Sequence, residues 1–216
     1  NGIGVFGPEK DIFVTDNQGH WTAACELNHL RSGRYFGRPS ATPDPKKLYN
    51  GRNSFTPPAI WFPYTLARSV SGMAEVLDER FGPFSGQLLV GDFQNALVMR
   101  VFLEKINGEY QGAVLPFLNG FRSGVNRLSY GPDGRLYVGG LQRTWASIAP
   151  DPASFERVTF KGNTPFSILK TEAKTDGFLL TFTEPIRPSS ATLDNFDVSQ
   201  FRYAYHPDYG SPRFSH

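Results

Sequence analysis

The sequence predicts an all-β fold built from repeated blades. Its 216 residues carry a net charge of +2 and include 22 glycines and 17 prolines, a composition typical of many short strands joined by tight turns. A short unit also occurs three times: an aromatic-Gly-Pro triplet, a turn, an apolar stretch with a valine, and a glutamine. The three copies are Phe6–Gln18, Phe81–Gln94 and Tyr130–Gln142. Repeated turn-plus-strand units predict a partial β-propeller of about three blades.

The first predicted unit, residues 1–150, supplies the blades. Turns rich in glycine and proline separate its apolar stretches, which favours antiparallel hairpins. Between the first two copies of the repeat, residues 21–57 are dominated by turn-forming residues and predict a long loop insertion with brief ordered stretches. The predicted strands are Ile12–Thr15, Ser69–Leu77, Leu88–Asp92, Leu97–Leu103, Val125–Tyr130 and Leu136–Gly139.

The second predicted unit, residues 151–216, has a different character. Phe155–Phe160 and Gly177–Thr183 are typical of strands, and Asp194–Phe201 is similar to the early part of a bacterial immunoglobulin-like domain. A complete sandwich of that kind needs about seven strands. The sequence therefore predicts a linker followed by the start of an immunoglobulin-like β-sandwich.

Both units are expected to be incomplete on their own. A propeller ring needs about four to eight blades. An open stack of fewer blades leaves apolar faces and strand edges uncovered. We therefore expect the rest of a longer chain, or a protein partner, to cover the open propeller.

Composition excludes several classes of function. The small net charge gives no basis for binding nucleic acid, and no stretch is long and apolar enough to predict a membrane span. The single cysteine, Cys25, excludes an internal disulfide and a four-cysteine zinc site. We expect its thiol to behave as a small buried apolar group.

Oxygen-bearing side chains are concentrated between Asp16 and Asn28. Asp16, Asn17, Gln18 and Glu26 follow a strand end, and Gly19 adds flexibility. Calcium prefers six to eight oxygen ligands from carboxylates, amides and carbonyls. The alternative is a loop whose Asp and Asn side chains satisfy its own backbone.

Other polar residues allow two interpretations each. His20 and His29 could act as a base, or could pack against neighbouring aromatic rings. Gln18, Gln94 and Gln142 occupy equivalent places in the repeat, where they could meet a ligand at the centre or tie each loop to its neighbour. A third set could bind an anion or lie solvated, namely Arg122, Arg127 and Arg143.

Three segments together resemble the glucose/sorbosone dehydrogenase superfamily, especially its large bacterial relatives. They are Phe13–Trp21, Glu26–Gly37 and Ser123–Gly140, within residues 1–145. The resemblance implies a six-bladed propeller, of which this chain holds about three blades, located in the periplasm or outside the cell. It also implies sugar oxidation with pyrroloquinoline quinone (PQQ) and calcium as cofactors.

Site residues follow from the same resemblance. Calcium ligands would come from Asp16 and Glu26 and from the carbonyls of Gly19 and His20. Cofactor contacts would come from Gln94, Asn126 and Arg127. Two positions differ from the family pattern: its arginine pair before the Pro-Asp-Gly turn is represented by Arg127 alone, and Phe93–Asn95 stands where the family has a lysine.

These observations give two functional hypotheses. The first is a fragment of a PQQ-dependent aldose or sorbosone dehydrogenase-like propeller, inactive on its own, with its catalytic base upstream of Asn1. The second is a non-catalytic propeller that serves as a binding or scaffolding subunit in a periplasmic or cell-envelope assembly. Fold analogy cannot separate them, because propellers host many unrelated functions.

Overall fold

The computed structural model describes residues 1–36, 55–143 and 145–215. Three antiparallel sheets, which we call blades 1 to 3, follow one another along the chain. Blade 1 contains β1 to β4, which are Ile3–Phe6, Asp11–Asp16, Glu26–His29 and Ile60–Trp61. Blade 2 contains β5 to β8, which are Val70–Glu75, Leu88–Asp92, Leu97–Ile106 and Glu109–Leu118. Blade 3 contains β9 to β11, which are Gly124–Tyr130, Leu136–Leu141 and Ala153–Val158.

The repeated unit occupies the same place in all three blades. Each Gly-Pro pair lies between the first and second strands, and each valine-bearing stretch forms the second strand. Gly7 and Gly82 adopt φ angles of 72° and 76°, a left-handed conformation that glycine reaches without steric cost. This equivalence, together with the meander order of every blade, confirms the partial propeller.

Apolar packing joins neighbouring blades face to face. Phe13, Leu27, Val90 and Met99 belong to a buried cluster between blades 1 and 2. Leu89, Val98, Val125 and Leu136 belong to a second cluster, between blades 2 and 3. Blade 2 therefore has a buried apolar cluster on each of its faces, whereas blades 1 and 3 each contribute to one such cluster.

The first strands of blades 2 and 3 approach closely because a glycine lies between them. A Cβ on Gly72 would be 3.0 Å from the carbonyl oxygen of Asn126 and 3.0 Å from the Cα of Arg127. Such distances are tighter than ordinary van der Waals contacts, so a side chain here would force β5 and β9 apart. Gly72 thus fixes the position of the two residues that β9 contributes to the site described below.

A hairpin of β12 (Ile168–Lys174) and β13 (Gly177–Phe182) packs against the outer strands of blade 2 through Arg100. This arginine is 1% exposed, and its guanidinium lies 4.4 Å from the centre of the Phe84 ring. It donates to the Gln87 side chain at 2.6 Å and to the carbonyl of Ile168 at 2.6 Å. Burial lowers its pKa to about 10, so it still carries its charge at neutral pH.

Residues after the hairpin have little regular structure. Two short 3-10 helices, Pro188–Ser190 and Leu193–Asn195, precede a two-stranded ladder of β14 (Phe201–Arg202) and β15 (Phe214–Ser215). The immunoglobulin-like sandwich stays a prediction, since residues 151–216 contribute β11 to blade 3 and only these two small sheets within the described chain.

The predicted boundaries differ from the structure in two places. Residue 150 lies in the connection between β10 and β11, so blade 3 continues to Val158. The predicted insertion at 21–57 contains β3, a central strand of blade 1, while its residues 37–54 lie outside the described part of the chain. No helix in the described residues is long and apolar enough to cross a membrane.

Candidate functional site at the loop face

Successive antiparallel strands place the connections at two opposite ends of the blades. We call one end the loop face. It carries the connections that leave the second and fourth strands, which are residues 17–25, 62–69, 93–96, 119–123 and 142–152.

Asp92, at the end of β6, holds the loop face of blade 2 together. Its carboxylate accepts hydrogen bonds from the backbone N–H groups of Arg68 at 2.8 Å, Ser69 at 2.7 Å and Asn95 at 2.7 Å. The side chain is fully buried. Burial raises the pKa of Asp92, and the three N–H donors oppose that shift. One carboxylate therefore fixes two connections that border the candidate site.

A cavity of about 130 Å³, which we call the inner cavity, lies where the three blades meet the loop face. Asn126 and Arg127 reach it from β9, and Arg143 and Trp145 reach it from the β10–β11 connection. Arg127 donates to both the carbonyl and the side-chain oxygen of Asn126, at 2.9 and 3.2 Å. The Arg143 guanidinium lies 6.0 Å from the centre of the Trp145 ring.

Neither Arg127 nor Arg143 has a carboxylate partner within the described residues. Two guanidinium groups that no carboxylate neutralises there give the inner cavity a positive potential. Guanidinium also pairs with carboxylates through two parallel hydrogen bonds. The cavity is therefore suited to an anion, and the Trp145 ring adds a flat apolar surface for an aromatic one.

A second cavity of about 380 Å³, the outer cavity, adjoins the first. The two cavities share Asn17, Ser69 and Trp145 in their walls. The outer cavity adds Gln94 from the β6–β7 turn and Tyr209 from the C-terminal tail. Arg68 completes the wall, with its guanidinium 4.9 Å above the ring of Tyr64.

The three residues predicted to bind the cofactor therefore border this pair of cavities. Asn126 and Arg127 line the inner one, and Gln94 lines the outer one. Sequence reasoning missed Arg68, Trp145 and Tyr209. Trp145 had a weak signal, because it lies in the connection that leaves the repeated strand β10, whereas Arg68 lies between β4 and β5, outside the repeat. Tyr209 had none, because it comes from the far end of the chain.

Two of the predicted metal ligands, Asp16 and Glu26, are paired across β2 and β3. Glu26 is 1% exposed and accepts a hydrogen bond from the Asn28 side chain at 2.9 Å, while its second oxygen has no partner. Burial raises the pKa of Glu26 to about 8, and the negative charge of Asp16 adds to that rise. Glu26 therefore holds a proton at neutral pH.

The other two, Gly19 and His20, are engaged by the C-terminal tail. The Gly19 carbonyl accepts hydrogen bonds from Thr22 N–H at 3.2 Å and from Gly210 N–H at 3.0 Å. The His20 ring donates through Nδ1 to the Pro207 carbonyl at 2.8 Å. Across the described residues no group of three or more His, Cys, Asp or Glu side chains could hold a metal ion.

The repeated glutamines serve the loops that carry them. Gln18 donates to the carbonyl of Ala23 at 3.1 Å, and Gln142 donates to that of Ala149 at 2.6 Å. Gln94 differs, because its backbone carbonyl accepts from Ile148 N–H at 2.9 Å and so links the loop faces of blades 2 and 3. Gln18 and Gln142 therefore stabilise their own loops, whereas Gln94 ties its loop to that of the neighbouring blade, which is the second of the two interpretations.

His29 and Cys25 have structural roles. His29 lies at the end of the blades opposite the loop face, stacked on Phe13 at 5.1 Å, with Nε2 3.4 Å from a carboxylate oxygen of Asp11. Cys25 is buried, and burial raises the pKa of its thiol. Its expected behaviour as a small apolar group is confirmed.

Comparison with known proteins shows the fold. No protein-family model and no curated protein matches the sequence. A solved structure of a putative oxidoreductase (glucose dehydrogenase) from Thermus thermophilus is 20% identical, with a TM-score of 0.51 over 73% of this chain and 44% of that one. Two other structures, each of a glucose dehydrogenase, are 21% and 20% identical, with TM-scores of 0.52 and 0.51 over 74% of this chain and 44% of theirs. The chain thus spans less than half the length of these structures, and its fold is part of theirs.

Proposed function

We propose that this chain, whose fold is part of a glucose/sorbosone dehydrogenase-like propeller, is a fragment of a PQQ-dependent sugar dehydrogenase that acts on an aldose or on sorbosone. The observation that carries the proposal is the pair of arginines, Arg127 and Arg143, which meet at the inner cavity without carboxylate partners among the described residues. In this role they bind the carboxylates of the cofactor.

The donor set of the loop face fits PQQ. PQQ is a flat tricyclic quinone with three carboxylates, and the inner cavity offers guanidinium groups beside the Trp145 ring. Asn126 orients Arg127 through two hydrogen bonds, and Asp92 holds the Ser69 backbone in the cavity wall. When bound, PQQ supplies the redox chemistry that accepts a hydride from the sugar. The residues of this chain bind the cofactor and orient it.

The predicted calcium ligands fit less well. Glu26 is a buried, protonated strand residue, and the Gly19 carbonyl already accepts two hydrogen bonds. Asp16 remains, accepting from the backbone N–H of Asn17 at 2.9 Å. Calcium needs more oxygen ligands than this arrangement brings together, so we assign no step to it.

Exposed apolar surface supports a larger assembly. On the outer face of blade 1, Ile3 and Val5 are 70% and 50% exposed, and on that of blade 3, Phe155 is 76% exposed. Large apolar side chains on sheet faces are costly in water. We propose that the rest of a longer chain, or a protein partner, covers both faces, and that the assembly is periplasmic or extracellular.

PQQ titration tests the proposal directly. Binding would be followed by quenching of tryptophan fluorescence in a form of the protein that includes the missing blades. We expect Arg127→Gln and Arg143→Gln each to weaken binding by roughly 10- to 100-fold, the range for one charged hydrogen-bonding partner. Arg122→Gln is the control, because Arg122 is exposed and pairs with Asp151 at 2.6 Å outside the cavity.

Dye reduction with aldoses then separates the two hypotheses. An active complex that loses turnover in both cavity variants supports the dehydrogenase. Failure of the wild-type protein to bind PQQ would favour the non-catalytic scaffold. The hydrogen bond from Gly210 N–H to the Gly19 carbonyl supports that alternative, because it occupies one expected metal ligand.

A further inference from the structure

We infer that residues 203–211 form a strap that closes one side of the outer cavity, and that Tyr209 is the strap's ligand-contacting residue. The strap itself depends on contacts within this chain. The identity of the ligand rests on the function proposed above.

Backbone hydrogen bonds fasten the strap to the β2–β3 connection. Gly210 N–H donates to Gly19 at 3.0 Å, Ser211 N–H donates to Ala23 at 2.8 Å, and the Trp21 N–H donates to His206 at 3.1 Å. These bonds run in both directions between the two segments. They therefore hold the strap in a defined register, as a short strand pairing does.

Aromatic rings reinforce the same contact. Tyr205 packs on Trp21 with ring centres 5.2 Å apart and stacks on Phe55 at 4.4 Å. Tyr203 packs edge-on against Trp61 of β4 at 5.4 Å. Rings in such arrangements contribute beyond the area that they bury. The strap is thus anchored to blade 1 along both its backbone and its side chains.

The docked conformation of the strap requires glycine at position 210. Its φ angle is 68°, in the left-handed region, and a Cβ at this position would overlap the side-chain amide of Gln18. A β-branched residue would face backbone strain at this φ and would also displace the Gln18 side chain, which donates to the Ala23 carbonyl. Substitution of Gly210 should therefore release the strap without touching a cavity residue.

Tyr209 reaches the cavity because the strap is docked. It shares the wall of the outer cavity with Gln94, Trp145 and Arg68, and 66% of its surface is exposed. Ligand cavities are typically lined by aromatic rings and a few polar groups. A ring held beside Trp145 and Arg68 gives a bound aromatic anion a further flat surface. Strap docking and ligand binding would therefore favour each other.

Hydrogen exchange tests the strap without any ligand. We expect Gly210→Val to speed exchange at the Trp21 and Ser211 amides at least 10-fold. Gly162→Val is the matched control, because Gly162 also has a positive φ, 86°, yet nothing lies near its Cβ position. Unchanged exchange in Gly210→Val would refute the inference that Gly210 holds the strap against the β2–β3 connection.

PQQ titration tests Tyr209. We expect Tyr209→Ala to weaken PQQ binding by roughly 2- to 12-fold with exchange at Trp21 unaltered, Tyr209→Phe to bind as the wild type does, and Gly210→Val to weaken binding as Tyr209→Ala does. Wild-type affinity in Tyr209→Ala would overturn its role. If the wild-type protein binds no PQQ, the proposed function and the role of Tyr209 both fail. Hydrogen exchange in Gly210→Val still tests whether the strap is docked.

Discussion

Replacing Asp92 by alanine should destabilise the protein strongly. The change removes the acceptor of three N–H groups, that of Ser69, which is buried, and those of Arg68 and Asn95, which are part-buried. An unsatisfied buried donor costs about 1–3 kcal/mol. The three together cost roughly 3–6 kcal/mol, because water from the neighbouring cavity satisfies part of the demand of the two part-buried groups. That loss is a large part of the stability of an ordinary domain, about 5–15 kcal/mol.

Urea unfolding followed by tryptophan fluorescence measures this loss, with Asp133→Ala as the matched control. Asp133 also accepts several hydrogen bonds, from Arg135 N–H at 3.2 Å and from the Tyr137 hydroxyl at 3.0 Å, yet these lie at the surface. Water replaces such partners, so the control should lose only a small fraction of what Asp92→Ala loses. Equal losses in both variants, or a loss below about 1 kcal/mol for Asp92→Ala, would refute the reasoning.

Three further predictions concern other buried groups. The folded-state pKa of Glu26 is raised to about 8, from 4.5 in the unfolded chain. Its contribution to the free energy of unfolding is therefore fully present below pH 4.5 and declines by up to about 1.4 kcal/mol per pH unit until pH 8. Thermal melts of Glu26→Gln should lack that decline. Arg100→Met should speed hydrogen exchange in the β12–β13 hairpin while the central strands of blade 2 stay protected, and equal loosening of both would contradict it. Gly72→Val should lower the melting temperature and weaken PQQ binding, since it displaces Asn126 and Arg127; a neutral result would show that β5 and β9 tolerate separation.

The repeat made most of the fold predictable. Gly-Pro turns followed by apolar strands leave a local signature, and each copy formed the same part of a blade. The sequence pattern did not predict strand β3. Its residues Glu26 and Asn28 point to one face and Leu27 and His29 to the other, and all four are buried. A strand with polar side chains on both faces lacks the apolar alternation that reveals a half-buried one.

Asn126 and Arg127 were expected as cofactor contacts through the resemblance of Ser123–Gly140 to the glucose/sorbosone dehydrogenase superfamily, and nothing in the local pattern of β9 indicates that role. Arg100 was hidden in an apolar run, because nothing local shows that a charge there meets carbonyl groups of a later hairpin. Contacts between Gly19 and Gly210, which belong to opposite ends of the chain, likewise leave no trace in local sequence.

Because blade 2 is packed on both faces, the three blades should differ in how easily they unfold locally. A local opening of blade 2 must disrupt two apolar clusters at once, whereas blades 1 and 3 can fray from their uncovered sides. Blade 2 is therefore the most resistant to local unfolding, and blades 1 and 3 become more rigid when a further blade or a partner packs against their open faces. Protease nicking should thus begin at the terminal sheets and reach β6 last, so that assembly with neighbouring blades also extends the lifetime of the folded chain.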